Sequence, residues 1–223
     1  MLREFVDRYF RKSLHRQMLE ERIVKNAFKV KGRVLELGSK NRRYDHLFTE
    51  SQEILASDID ANSNLEILSI DAREIPFPDE SFDTVVAFEV FEYILETKEV
   101  LREINRVLKH GGGLHFSVPF MCPIHGGGEA EELDSDLIRY TGRGCKTLLD
   151  EEFKDIQIES FGGRWQIIYD VWFSWVRTRK SRLLKLLLTP FGILLKPLVC
   201  IFDSFSEKDL RRFVMGYYIV CKK

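Results

Sequence analysis

Phe82-Asp-Thr-Val-Val-Ala-Phe88 is the most strand-like run in the sequence: β-branched, apolar and without a breaker. Pro76 and Pro78 mark a loop before it, and Glu89 opens a loop after it. The same pattern recurs on both sides. Towards the N-terminus, Arg33-Val-Leu-Glu-Leu-Gly38, Glu53-Ile-Leu-Ala-Ser-Asp58 and Leu65 to Asp71 read as strands. Towards the C-terminus, Leu114 to Val118 (stopped by Pro119), Ile156 to Ser160 and Gly216 to Cys221 read likewise. Helical spacing fills the gaps. Residues 4–28 carry Phe5, Tyr9, Met18, Leu19, Ile23 and Phe28, and Lys31-Gly32 stops them. Residues 43–50 make a short helix or turn. Thr97 to Leu108 repeats Val100, Leu101, Ile104 and Val107, and His110-Gly-Gly-Gly113 is expected to end that helix. Arg139 to Phe153 is helical. Strands alternating with helices argue for an α/β fold, a mostly parallel sheet with helices on both faces.

Composition agrees with a folded enzyme-sized domain. The chain has 223 residues, 44% hydrophobic and 31% charged, which excludes disorder, collagen-like repeats and a coiled-coil rod. Its four cysteines show no C-x-x-C pair, so no metal-ligand spacing and no disulfide framework emerge. A reducing, cytoplasmic setting is expected, and the charged N-terminus has no apolar signal region. Net charge is −1, but it is uneven. Val176 to Lys223 holds eleven Lys/Arg against three Asp/Glu, while the first 175 residues carry a net of −9.

In open parallel sheets ligands bind beyond the C-terminal strand ends. Those ends are Gly38, Asp58, Asp71, Glu89 and Pro119. Gly38 lets backbone approach a ligand closely. A carboxylate at Asp58 can accept both hydroxyls of a ribose diol. Asp71 can accept from an exocyclic adenine amine, while the Ala72 N–H serves a ring nitrogen. Taken singly, each such Asp is more often a turn or cap former. Their order along the chain carries the signal.

With those residues in view, the chain resembles the class I S-adenosylmethionine-dependent methyltransferases of the small bacterial "type 11" kind. Val34-Leu-Glu-Leu-Gly38 is similar to the first motif, and Ala56-Ser-Asp58-Ile-Asp60 to the ribose-binding strand end. Ile70-Asp-Ala-Arg-Glu-Ile-Pro-Phe-Pro-Asp-Glu-Ser-Phe-Asp-Thr-Val-Val86 is similar to the adenine-contact segment and fourth strand. Glu89-Val-Phe-Glu-Tyr93 and Leu101 to Lys109 continue in register. The resemblance covers about residues 32–161. It implies a Rossmann-like three-layer sandwich with a seven-stranded sheet whose last strand is antiparallel. It implies S-adenosyl-L-methionine as cofactor and S-adenosyl-L-homocysteine as product. Carried over by position, Glu36 and Gly38 line the methionine end, Asp58 the ribose, and Asp71 and Ala72 the adenine, with Ser39 and Ile59 also counted as cofactor-binding. Glu89 lies near the methionine moiety.

Two departures stand out. The usual G-x-G-x-G loop is Gly38-Ser-Lys-Asn-Arg-Arg43, and the usual Glu-His after the fourth strand is Glu92-Tyr93. The missing glycines also count against a nicotinamide site, which needs G-x-G-x-x-G. On the acceptor side, Val118-Pro-Phe-Met-Cys-Pro-Ile-His125 leads to Asp136-Leu-Ile-Arg-Tyr140. His125 is the first choice for a base or acceptor contact, with Tyr140 and Arg139 in support. His115, inside a strand, reads as a core or rim residue.

Before the final strand lies an aromatic, basic and leucine-rich insertion, so the expected division is 1–31, 32–161, 162–214 and 215–223. Residues 165–202 admit three readings: a helical cover on the sheet, a peripheral membrane contact at the inner face of the membrane, or a homodimer face. Nucleic acid is not expected, since the basic residues interleave with Leu rather than with stacking aromatics. The leading functional reading is methyl transfer to a small-molecule, sugar or lipid-linked acceptor. The alternative is a non-catalytic binding or membrane-associated scaffold on the same fold, with the loop Gly38 to Arg43 impaired for cofactor binding.

Overall fold

The computed structural model describes residues 12–124, 136–204 and 212–223. Seven strands form one sheet in the order β3-β2-β1-β4-β5-β7-β6. They are β1 (Lys31–Leu37), β2 (Glu50–Asp58), β3 (Ile67–Ser69), β4 (Phe82–Phe88), β5 (Leu108–Pro119), β6 (Lys154–Phe161) and β7 (Gly216–Lys222). Neighbours from β3 through β5 pair in parallel, and β7 runs antiparallel to both β5 and β6. The helices are α1 (Leu14–Asn26), α2 (Thr97–Val107), α3 (Gly142–Leu149), α4 (Arg164–Thr178) and α5 (Arg182–Ser204).

β4 is buried on both faces, which its unbroken apolar run requires. Val85 and Ala87 enter one core, with α2 and α3, through Ile104, Leu101 and Leu149. Val86 and Phe88 enter the other, with α1 and α4, through Leu19, Ile23 and Phe173. This alternation follows from the two-residue period of a strand. Burying each aliphatic side chain contributes about 1.5–3 kcal/mol.

Several boundaries differ from the sequence reading, the third strand among them at Ile67–Ser69 only, and two of the differences show their cause. His110 to Gly113 does not end a helix. α2 stops at Val107, and Leu108 is already extended backbone of β5. The reason is a register irregularity: Phe82 faces Leu108 and Thr84 faces Gly113, so the glycines form a bulge inside the strand. The helix expected over 139–153 is shorter, because Thr141 caps it by accepting the Gly144 N–H at 3.0 Å.

The five parallel strands end on one edge. That edge therefore collects Gly38, Asp58, Asp71, Glu89 and Pro119.

Candidate active site

The loop after β1 is the centre of this edge. Gly38 has φ +68°, and a Cβ there would meet Val90 Cγ2 at 2.4 Å, so no other residue fits without displacement. Lys40 and Arg42, which replace the family's later glycines, both hold φ 49°. The backbone thus keeps a glycine-type course with non-glycine residues. Hydrogen bonds fix it there. The Lys40 N–H donates to Asp58 Oδ2 at 3.0 Å, and the Arg42 N–H to Ser39 Oγ at 3.1 Å. The Arg42 guanidinium donates to Asp45 and to the carbonyls of Ile54, Leu65 and Glu66. Those bonds commit the long side chain away from a path over Gly38.

Beneath the loop, Glu36 is buried and accepts the Ser39 hydroxyl at 2.7 Å. Burial pushes its carboxyl up to about 7. The Ser39 hydrogen bond opposes that rise, while Asp45 adds to it. Asp58 is half-buried, and Ile59 beside it is exposed. Asp71 is gripped by Arg73, whose Nε and Nη2 lie 3.1 and 2.7 Å from Oδ2. That contact holds its carboxyl below the usual range. Ala72 is buried alongside.

Glu89 ends β4 with φ 58°, an uncommon conformation for a long side chain. Its N–H faces Ser117, its Oε1 accepts the Ser117 hydroxyl at 2.9 Å, and its Oε2 lies 2.8 Å from His15 Nε2. His15 belongs to α1 and was not singled out from sequence. Burial disfavours its charge, but Glu89 and Cys122 outweigh burial and raise it to about 10. The pairing thus favours the imidazolium, which donates to the Glu89 carboxylate. α1 is held in place from α4, where Asp170 accepts the Leu14 N–H at 2.8 Å.

The strand-end residues Glu36, Gly38, Ser39, Asp58, Asp71, Ala72 and Glu89 thus share one edge. His125 lies in residues 125–135, outside the described residues. Tyr140 is placed apart from this group, in the core under α2, sharing a hydrogen bond with Thr97 Oγ1. Burial raises its hydroxyl. Arg139 ties the exit of β5, donating to the Phe120 carbonyl and to Cys122 Sγ, each at 3.0 Å. His115 is buried within β5 against Tyr218, and burial lowers it to about 4.

Comparisons with known proteins converge on this edge. Residues 35–116, from β1 through most of β5, match the family described as "Methyltransferase domain". The 27-O-demethylrifamycin SV methyltransferase of Amycolatopsis mediterranei is 38% identical over 83 residues, covering 36% of this chain and 29% of that protein. The chain thus spans less than a third of that relative's length. A ubiquinone/menaquinone biosynthesis C-methyltransferase of Hahella chejuensis is 25% identical over 185 residues, covering 67% and 74%. In fold, a SAM dependent methyltransferase from Archaeoglobus fulgidus superposes with a TM-score of 0.61 at 18% identity, covering 98% of both chains. The order of strand-end residues, the single antiparallel strand and the matched segment agree: residues 35–116 are similar to a methyltransferase domain, set in a fold shared with a SAM dependent methyltransferase.

Proposed function

We propose that this protein binds S-adenosylmethionine across the ends of β1, β2 and β4 and transfers its methyl group to an acceptor held beyond β5. The loop Gly38 to Arg43 carries the proposal. It departs from the family in sequence yet holds Lys40 and Arg42 at φ 49°, the conformation for which glycine is normally needed. The residues fit the cofactor: a cradle at Gly38 that a Cβ would fill, and a half-buried acceptor at Asp58. Asp58 would take the ribose hydroxyls, Asp71 and Ala72 the adenine, and Glu36 and Ser39 the methionine end.

Bound, the cofactor supplies a methyl group already activated by its sulfonium. The chain's part is then to hold the acceptor at near-attack distance and to exclude water. The His15–Glu89 pair fixes the floor of that site, since a buried imidazolium and carboxylate lock each other's orientation. Arg139 fixes the β5 exit on the acceptor side.

The names of two relatives bear on the acceptor class. The two relatives described above are named for 27-O-demethylrifamycin SV and for ubiquinone/menaquinone biosynthesis, which supports a hydrophobic small molecule or a lipid-borne one. A second reading, a scaffold without turnover, draws on the Asp71–Arg73 fork, which occupies the carboxylate the adenine amine would use.

Radiolabelled S-adenosylmethionine, incubated with separate water-soluble and lipid acceptor pools, tests the proposal. Label is expected in the lipid-extractable pool. Label in neither pool contradicts turnover, and loss of S-adenosylhomocysteine binding along with it supports the scaffold.

A further inference from the structure

α4 and α5 form a hairpin between β6 and β7 whose two faces differ sharply. On α5, Leu187, Phe191, Leu194, Leu198 and Phe202 recur every three or four residues, and they are 49–70% exposed. Such spacing gives one continuous stripe on a helix. α4 adds an exposed tryptophan towards each of its ends. Trp165 lies beside Phe202, with ring centroids 6.5 Å apart, and Trp175 lies under the Arg179 guanidinium at 4.5 Å. An apolar patch of this extent on a soluble domain marks a contact surface.

Charge identifies the partner. From Val171 to Phe202 the chain contains Arg177, Arg179, Lys180, Arg182, Lys185 and Lys196 and no acidic residue. Four of them crowd the turn between the helices, whereas the first 175 residues are net acidic. A second copy could cover the stripe with its own, but its hairpin offers the basic cluster no acidic residue from Val171 to Phe202, and a nucleic acid would leave the stripe in water. An anionic bilayer satisfies both: leucine and phenylalanine in the acyl boundary, tryptophan at the interface, guanidinium groups on phosphate.

The inner face decides how the helix meets that bilayer. By length and composition α5 could cross it, since Arg182–Asp203 holds an 18-residue window of mean hydropathy 1.8. Its other side is tied to the protein. Lys196 and Asp203 are buried. Asp203 accepts the Trp165 and Gln166 N–H groups at 3.1 and 2.8 Å, capping α4. Tyr169 donates to the Gly192 carbonyl at 3.0 Å, and a Cβ on Gly192 would press on Phe173 at 3.0 Å. Crossing would strip these bonds and carry Lys196 into hydrocarbon. α5 therefore lies flat.

We propose that the α4–α5 hairpin is a monotopic docking surface for a bilayer containing anionic phospholipid, with α5 in the plane of the interface. The inference stands on the hairpin and not on methyl transfer.

Flotation of the full chain with phosphatidylcholine vesicles, with and without phosphatidylglycerol, tests it. Binding is expected only when phosphatidylglycerol is present, and it is expected to weaken with salt. Replacing Arg177, Arg179, Lys180 and Arg182 with Gln should lower partitioning by more than about tenfold. Leu187→Glu with Leu194→Glu should do the same while leaving the thermal transition in place, because both side chains are exposed. Three outcomes overturn the proposal: no flotation with phosphatidylglycerol at low salt, equal flotation of the Glu variant, or a stable dimer in sedimentation velocity that the Glu variant dissociates. Resistance to carbonate extraction would replace flat docking with a span. S-adenosylhomocysteine binding, measured in solution, reports on the cofactor site separately.

Discussion

Lys40 and Arg42 hold a left-handed backbone that costs an ordinary side chain about 1–2 kcal/mol. Lys40→Gly should therefore leave stability unchanged or slightly raised, the relief being offset by glycine's freedom when unfolded. Lys40→Val should lose about 1–2 kcal/mol. Urea unfolding of both variants checks this, and equal losses would refute the strain. At Asp58, removal of the carboxylate should weaken S-adenosylhomocysteine by about 1–3 kcal/mol in calorimetry, the worth of charge-assisted bonds. An unchanged affinity removes Asp58 from the site. His15 gives a pH signature. Its folded value, about 10, exceeds the ordinary 6.5, so its contribution is complete below about pH 6.5 and is lost as pH rises towards 10. Glu36, raised to about 7, acts with the same sign but lower in the range, between 4.5 and 7. Melting temperature should thus fall from neutral pH to about pH 10, and fall less in His15→Gln. Parallel profiles would refute the His15–Glu89 pairing. The strand-end carboxylates were legible because their order follows strand order. His15 was not, since its partner lies 74 residues away and nothing local marks it.

Among the elements, β4 was legible to the residue because an unbroken β-branched run has few other uses. The glycines at 111–113 misled, because a bulge and a helix stop call on the same residue type. Gly111 alone among them has positive φ, at +74°. The hairpin was half legible. Its leucine stripe is visible in sequence, but which face turns inward depends on Asp203, which reaches a helix start 37 residues upstream. Asp203→Ala should cost about 1–2 kcal/mol through loss of that cap. It should also loosen α5 locally. Hydrogen exchange should then quicken in α4 and α5 and not in α2, where no bond changes. Uniform quickening would mean that the hairpin unfolds only with the whole domain.

Across the whole molecule, one sheet edge joins three contributions. The matched domain supplies the strand ends. α1 supplies His15, which closes on Glu89. α4 anchors α1 through Asp170 and carries the basic, apolar hairpin on its other side. The proposed membrane surface and the proposed cofactor edge are thereby linked through Asp170 and His15 in two steps of direct contact. On the proposed anionic surface, the acidic body and basic hairpin would orient the protein with its bulk held away.

Thermal unfolding with and without S-adenosylhomocysteine tests the central claim most directly. At 100 times its dissociation constant, ligand stabilises a fold by about 2.7 kcal/mol, which raises the melting temperature of a domain this size by several degrees. The account predicts that rise with S-adenosylhomocysteine, none with NADH, and a smaller one in Asp58→Ala. No shift at millimolar S-adenosylhomocysteine would contradict it, and would mean that the loop Gly38 to Arg43 has closed the site.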